Sequence, residues 1–172
     1  MAAALADHPF LSTMPPTCLR RLAVHAFRQD FPAGQSLFRE SAVADRVFLI
    51  RRGLVKLDIA IPGRDRVDVE LLGPDTVLGW SWLFPPYEWH LGATAIERTT
   101  ALAFDASTLR ALMASDVILG YELMRRFAAV MYDRLQATRL RLGTEGTAVP
   151  AASVSGPWAG RRTSALLSLA AR

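Results

Sequence analysis

Apolar and polar positions alternate along the middle of the chain, from about residue 26 to residue 104. Turn sequences such as P-A-G at 32–34 and P-G-R-D at 62–65 interrupt the alternation at intervals of about ten residues. A period near two residues is typical of half-buried strands, and intervals this short leave no room for crossover helices. The pattern therefore predicts a mainly β protein with flanking helices, built on an antiparallel β-roll (a double-stranded jelly roll) of about eight strands.

The predicted strands cover residues 26–31, 36–39, 46–52, 53–61, 66–72, 76–79, 91–97 and 100–105. Helical periodicity flanks this region on both sides. Pro15 and Pro16 predict the start of a short N-terminal helix, because proline is tolerated in a first helical turn. After the last strand, Asp105 or Ser107 is expected to cap a helix over 108–114.

Residues 117–142 predict a long C-terminal helix with Asp116 as its N-cap. One row of apolar or small residues follows spacings of four and three, as in a two-stranded coiled contact, and it comprises Val117, Tyr121, Met124, Ala128, Met131, Leu135, Thr138 and Leu142. A second row, which comprises Leu119, Leu123, Phe127 and Val130, is expected to face the roll of the same chain. We predict a homodimer through the first row; the alternative is a helix buried on both sides in a monomer.

The composition of the chain indicates the number of domains and the cellular location of the protein. A chain of 172 residues that is 51% apolar and 21% charged is typical of one globular domain, here residues 8–142, followed by a flexible tail rich in small residues at 143–172. No apolar run is long enough for a membrane helix, and the N-terminus lacks a secretory pattern, so we expect a cytoplasmic protein. The net charge of +4 comes mainly from dispersed arginines, so this chain alone is not expected to bind nucleic acid.

Three of the four tryptophans lie within the segment Val77–Ala95, which Pro and Gly make too irregular for a regular element. Aromatic rings with polar tips line small-molecule pockets, and equally they can fill one. The candidate ligand contacts are Gly79, Trp80, Ser81, Trp82, Leu83, Trp89, His90 and Leu91.

Catalytic chemistry is not expected. The three histidines, at 8, 25 and 90, are too scattered to form the metal cluster of a cupin-like enzyme. The single Cys18 permits no internal disulfide and is expected to be a small buried apolar residue. No P-loop or nucleophile-elbow motif occurs, so we predict a protein that is not an enzyme and requires no cofactor.

The order of these elements resembles the cyclic-nucleotide-binding domain of the catabolite activator and fumarate-nitrate regulator superfamily. The segments that carry the resemblance are P-A-G followed by S-L-F-R-E, then R-V-F-L-I-R-R-G-L-V-K-L-D around Gly53, then G-P-D and T-V-L-G. The resemblance covers residues 8–142. Ser41 departs from it, since family members often have glycine at that point.

Family members that bind cyclic nucleotides have a cassette resembling F-G-E-L followed by R-[ST]-A, in which the Glu holds the ribose and the Arg the phosphate. Here Trp80 stands in place of the Glu, and Trp89 or His90 in place of the Arg. The resemblance therefore implies a degenerate cassette that does not bind cAMP tightly. It also implies that Arg134 and Thr138, on the long helix, contact a ligand across the dimer.

Three functions remain open. The leading hypothesis is a regulatory module that senses an unidentified small apolar or nucleotide-like ligand at the cassette and passes its occupancy to a regulatory protein partner. The second is a ligand-free structural or interaction domain with an aromatic plug. The third is a transcription regulator of the same superfamily that lacks its own helix-turn-helix domain or binds DNA through another chain.

Overall fold

The computed structural model describes residues 1–144. Two short helices precede the sheets, α1 (Ala2–Ala6) and α2 (Pro16–Ala23). The strands are β1 (Phe27–Phe31), β2 (Ser36–Phe38), β3 (Arg46–Arg52), β4 (Val55–Ile59), β5 (Val67–Leu72), β6 (Val77–Leu78), β7 (Gly92–Ala95) and β8 (Thr99–Asp105). Two helices follow, α3 (Ala106–Ser115) and α4 (Val117–Thr144).

The strands of the described region form two four-stranded sheets with the orders β1-β8-β3-β6 and β2-β7-β4-β5. Every recorded pairing is antiparallel, and β-bulges interrupt the registers of β2, β3 and β4. The predicted mainly β roll with short N-terminal helices and a long C-terminal helix is therefore confirmed. The bounds of α1 were not predicted, because its five residues are too few to show a periodicity.

Alternation along the strands divides the core into two clusters. The space between the sheets is filled by residues such as Phe48, Ile50 and Leu57, which face one another across the roll. The neighbouring positions Val47 and Leu49 on β3 point to the other side, where the helices cover the first sheet. Because β3 is buried on both faces, it reads as a continuous apolar run rather than an alternating one.

Aspartates cap both late helices. The Asp105 carboxylate accepts a hydrogen bond from the Thr108 backbone N–H at 2.8 Å, and Asp116 accepts one from the Leu119 N–H at 3.0 Å. Ser107, the alternative cap, instead donates its hydroxyl to Asp105 at 2.5 Å. These hydrogen bonds from Ser107 and Thr108 lower the pKa of Asp105 to about 2.

Gly53 forms the tight turn between β3 and β4. Its φ of 95° lies in the left-handed region, and a Cβ placed on it would lie 2.5 Å from Thr99 Cα. No side chain fits at this position unless the neighbouring backbone moves. The most specific part of the sequence resemblance thus has a purely steric reason.

The described residues divide into two units, the first ending at Asp133 and the second beginning at Arg134, and α4 contributes to both. In the first unit, Leu119, Leu123 and Phe127 are buried against the helix-side core, as the second apolar row predicts. In the first unit, Met131 of the predicted dimer row packs partly against the core, and the exposed members of the row are Val117, Tyr121, Met124 and Ala128. In the second unit the exposed members are Leu135, Thr138 and Leu142. The homodimer stays a prediction, and the predicted flexible tail at 143–172 lies, from residue 145 onward, outside the described residues.

Candidate functional site

The candidate cassette connects β6 to β7. It begins at Gly79, whose φ is 95°, continues through a 3₁₀ turn at Ser81–Leu83, and reverses direction at Tyr87, whose φ is 60°. The bond between Pro85 and Pro86 is cis. The two prolines lack backbone N–H donors, so the segment adopts an irregular path rather than a longer helix.

Trp89 is the central side chain of this segment, and it points inward. It is 3% exposed, and its ring stacks on Phe38 of β2 with centroids 3.7 Å apart and planes 10° from parallel. The far edge of the same ring lies over Gly79, where a Cβ would meet Trp89 Cη2 at 2.8 Å and Cζ3 at 2.9 Å. Trp89 therefore fills the space beside the one glycine that matches the family's phosphate cassette.

Trp82 is fully buried on the helix side of the first sheet. Its indole Nε1 donates to the Gly79 carbonyl at 3.2 Å, and its ring meets Phe127 of α4 edge-on with centroids 5.5 Å apart. Leu83 is half-buried against the same core, and Leu91 is half-buried against the interior of the roll. Burial of an apolar ring with its single donor satisfied is the arrangement of a core residue.

The polar groups of the cassette pair with each other. The Ser81 hydroxyl lies 3.0 Å from His90 Nδ1, within hydrogen-bond distance; Ser81 is buried and His90 is exposed. Trp80, which stands where the family has its ribose-binding Glu, is half-buried against the helix-side core. An indole offers one donor and no acceptor, so it cannot accept hydrogen bonds from ribose hydroxyls.

The guanidinium of Arg110 reaches the 3₁₀ turn and Tyr87 of the segment from outside and is bound there. Arg110 of α3 donates from Nη1 to the Trp82 carbonyl at 3.0 Å, and its guanidinium carbon lies 4.4 Å from the centroid of the Tyr87 ring. Residues 77–97 contain no Arg or Lys. Arg46, whose carbonyl approaches Gly79, directs its side chain to Asp105 at 3.1 Å.

Arg134 and Thr138, the predicted contacts on the long helix, belong to the second compact unit. Within that unit the Thr138 hydroxyl donates to the Arg134 carbonyl at 2.9 Å. Their part in ligand binding stays a prediction.

Sequence reasoning missed two residues that hold the segment, Phe38 and Arg110. Phe38 occurs in the S-L-F-R-E stretch, which was read only as part of a strand, and nothing in the local pattern links it to Trp89 fifty-one positions later. In the part of the chain that the structure describes, no group of three or more metal-ligating side chains occurs, and no helix has the length and apolar character needed to cross a bilayer.

Comparison with known proteins places this geometry in a family. The model of the cyclic nucleotide-binding domain matches residues 28–116. The chain is 29% identical over 128 residues to a CRP-like cAMP-activated global transcriptional regulator of Mycobacterium tuberculosis, an alignment that covers 74% of this chain. It spans only 55% of that regulator's length.

Solved structures agree with the sequence match. A protein of Geobacter metallireducens solved as a cyclic nucleotide-binding protein superposes with a TM-score of 0.71 at 25% identity, covering 78% of this chain and 97% of that one. The catabolite activator protein of Thermus thermophilus superposes with a TM-score of 0.63 at 24% identity, covering 80% and 62% of the two chains. Since the family model spans more than half of the sequence, the chain belongs to the cyclic nucleotide-binding domain family.

Proposed function

We propose that this chain is a non-enzymatic regulatory domain in which the cyclic-nucleotide site is closed by its own tryptophan. The observation that carries the proposal is the stack of Trp89 on Phe38, with the edge of the indole over Gly79. In the resemblance stated above, this glycine precedes the ribose-binding Glu, and Trp89 or His90 stands in place of the phosphate-binding Arg. A nucleotide phosphate would have to displace a buried ring and would then lack a cation.

The charges around the segment support the same proposal. An anion taken out of water without a partner costs several kcal/mol in a protein interior, by the order of magnitude known for buried ions. The Arg110 guanidinium is a candidate partner, and it already binds the Trp82 carbonyl and the Tyr87 ring. Recruiting it to a phosphate would break both contacts.

Signalling through such a domain would rely on contacts with protein rather than on cyclic-nucleotide occupancy. Tyr121 is 64% exposed, Met124 is 39% exposed, and Ala128 lies exposed on the same row of α4. A row of apolar side chains on one helical face, spaced by four and three, fits the same face of a second copy. We propose a homodimer through this row, which would present the two rolls to a regulatory partner.

Calorimetric titration with cAMP and with cGMP tests the closed site. At about 100 µM protein we expect no binding heat, whereas a dissociation constant in the micromolar range would overturn the proposal. A small apolar ligand that displaced Trp89 would also contradict it, and would appear as a saturable change in tryptophan fluorescence.

A gain-of-function variant provides the complementary test, in which binding is expected to appear. Trp80→Glu combined with Trp89→Arg places a Glu at the ribose position and an Arg at one of the two candidate phosphate positions, and it removes the ring above Gly79, so we expect cAMP binding to appear. The matched control, Trp80→Gln with Trp89→Gln, opens the same space without charges and should not bind. Circular dichroism and thermal unfolding of both variants establish that they are folded before binding is compared.

A second candidate function follows from the match to the M. tuberculosis regulator, of which this chain spans 55%. In this alternative the domain is the effector part of a transcription regulator that reaches DNA through another domain or chain. In this alternative, fluorescence anisotropy should show no binding of random duplex DNA by this chain alone. Binding by this chain with a steep salt dependence would indicate a direct DNA contact and would contradict the alternative.

A further inference from the structure

The second sheet carries a cleft whose charged side chains lie outside the cassette, although Gly92, Ala93 and Thr94 at the end of the cassette segment contribute to its lining. On β4 and β7, Leu57 and Ala93 face the interior of the roll, so their neighbours Asp58 and Thr94 face outward. The cleft has a volume of about 410 Å³, within the range of small-molecule sites. Its principal lining residues are Ser36, Arg39, Glu40, Asp58, Arg66 and Thr94.

An ion-pair network forms the floor of this cleft. The Arg66 Nε donates to Asp58 Oδ1 at 2.5 Å, and Arg66 Nη2 donates to Glu40 Oε2 at 2.9 Å. Glu40 Oε2 also accepts the Ala60 backbone N–H at 2.9 Å. The network fixes two carboxylates and one guanidinium from three separate parts of the chain, and this prior fixing reduces the cost of ordering a site when a ligand binds.

Gly92 makes room for the network. A Cβ at this position would lie 2.6 Å from Asp58 Oδ1 and 2.9 Å from Arg66 Nη2, and the φ of Gly92 is not in the left-handed region. A larger residue here would therefore displace one or both of these charged side chains, although the backbone conformation itself would accept it.

Both hydrogen-bond donors and hydrogen-bond acceptors of the lining side chains remain available to a ligand. Among the described residues, Arg66 Nη1, Glu40 Oε1 and Asp58 Oδ2 take part in no recorded hydrogen bond, because the contacts above use the other atoms of these side chains. Arg39 is exposed at the edge and forms no recorded ion pair there. The lining thus offers free donors and free acceptors at once.

The balance of charge selects the ligand class. Arg39 and Arg66 carry two positive charges, and Glu40 and Asp58 carry two negative charges. A purely anionic ligand would meet two carboxylates, and a purely cationic one would meet two guanidinium groups, each at a repulsive cost. A zwitterion satisfies both, with its ammonium on the free carboxylate oxygens and its carboxylate on the free guanidinium donors.

From this arrangement we propose that the outer cleft binds a small zwitterion of the α-amino acid class. The cleft shares Phe38 and the residues 92–94 with the surroundings of the cassette, but its charged groups, on Arg39, Glu40, Asp58 and Arg66, are none of the cassette's candidate ligand contacts. It provides a ligand input for a domain whose cyclic-nucleotide cassette is degenerate.

Thermal-shift measurements with the twenty free L-amino acids, each at about 10 mM, test the proposal on the full chain, and titration calorimetry then measures any hit. The N-acetyl derivative of the same amino acid keeps only the negative charge and the C-terminal amide keeps only the positive charge, so the two derivatives test each charge separately. We expect the free amino acid to bind and each capped derivative to bind at least about tenfold more weakly, because each derivative removes one charge-assisted contact.

Arg39→Gln is the informative variant, since Arg39 is exposed and its loss leaves the Arg66 network intact. We expect it to weaken binding by about tenfold or more, while Arg20→Gln, an exposed arginine on α2, leaves binding unchanged. The proposal is overturned if no amino acid binds, if a capped derivative binds as tightly as the free one, or if Arg39→Gln has no effect.

Discussion

The close contact between the Trp89 ring and Gly79 can be tested by measuring free energies of unfolding. Replacing Gly79 by Ala adds one methyl group at a backbone φ of 95°, where an L-residue costs about 1–2 kcal/mol. The added Cβ would also stand 2.8 Å from Trp89 Cη2, and overpacking of this kind costs about 1–3 kcal/mol more. We therefore expect Gly79→Ala to lower the free energy of unfolding by about 2–5 kcal/mol.

Removing the ring should remove only the steric part of this cost. Trp89→Leu keeps an apolar side chain against Phe38 but lacks the Cη2 and Cζ3 atoms that face Gly79, and by itself it should cost about 2–4 kcal/mol as a large-to-small core substitution. In the Trp89→Leu background, Gly79→Ala should then cost only about 1–2 kcal/mol. The difference is a coupling energy of about 1–3 kcal/mol between the two sites.

Urea unfolding of the wild type, both single variants and the double variant, followed by circular dichroism, gives this coupling. Gly34→Ala is the matched control: its φ of 81° is also left-handed, but no atom lies within 4 Å of the added Cβ. Gly34→Ala should therefore cost about 1–2 kcal/mol, and the same in both backgrounds. If Gly79→Ala costs the same with and without the indole, Trp89 does not occupy the space beside Gly79 and the closed site is refuted.

Three further predictions concern other parts of the molecule. Tyr121→Glu should raise the dissociation constant of the proposed homodimer by about tenfold or more, measured by sedimentation velocity. The control Val24→Glu, at a site that is 80% exposed, should leave it unchanged. A wild type that is monomeric at about 100 µM would contradict the dimer. Asp105→Ala should lower the free energy of unfolding at pH 7 by about 1 kcal/mol through loss of the α3 cap. Because the folded pKa of Asp105 is lowered to about 2, its contribution is present above the ordinary value of 3.8 and is lost as the pH falls towards 2; an Asp105→Ala difference that persists unchanged down to pH 2 would contradict this. Burial lowers the pKa of His8 from 6.5, so wild-type stability should decline as the pH falls below 6.5, and His8→Gln should flatten this decline in urea unfolding between pH 7 and 5.

The secondary structure was predictable because its signals are local. Alternation located the strands to within one or two residues, and the Asp105 and Asp116 caps follow from residue type and position alone. The row that includes Leu119 and Phe127 was assigned to the correct face from its helical spacing. Each of these inferences depends on neighbours fewer than eight positions apart.

The state of the cassette was not predictable in the same way. An aromatic ring with a polar tip suits the wall of a pocket and its filling equally, and the choice for Trp89 depends on Phe38, which is distant in sequence. The outer cleft could not be predicted from the sequence for a similar reason. The register between β4 and β5 shifts at Asp58, because Leu57 faces Glu70 whereas Asp58 faces Asp68, and such a shift leaves little trace in an alternating pattern.

The turn at Gly53 suggests why this chain is recognisable as a member of the family although Trp80 stands where the resemblance has its ribose-binding Glu. The position excludes every side chain by contact with the backbone at Thr99, so selection for folding alone keeps glycine there in any descendant that retains the roll. Trp80 and Trp89 stand at positions under no such backbone constraint. Family membership and ligand preference can therefore evolve independently, and a conserved hairpin is poor grounds for inferring that a relative still responds to a cyclic nucleotide.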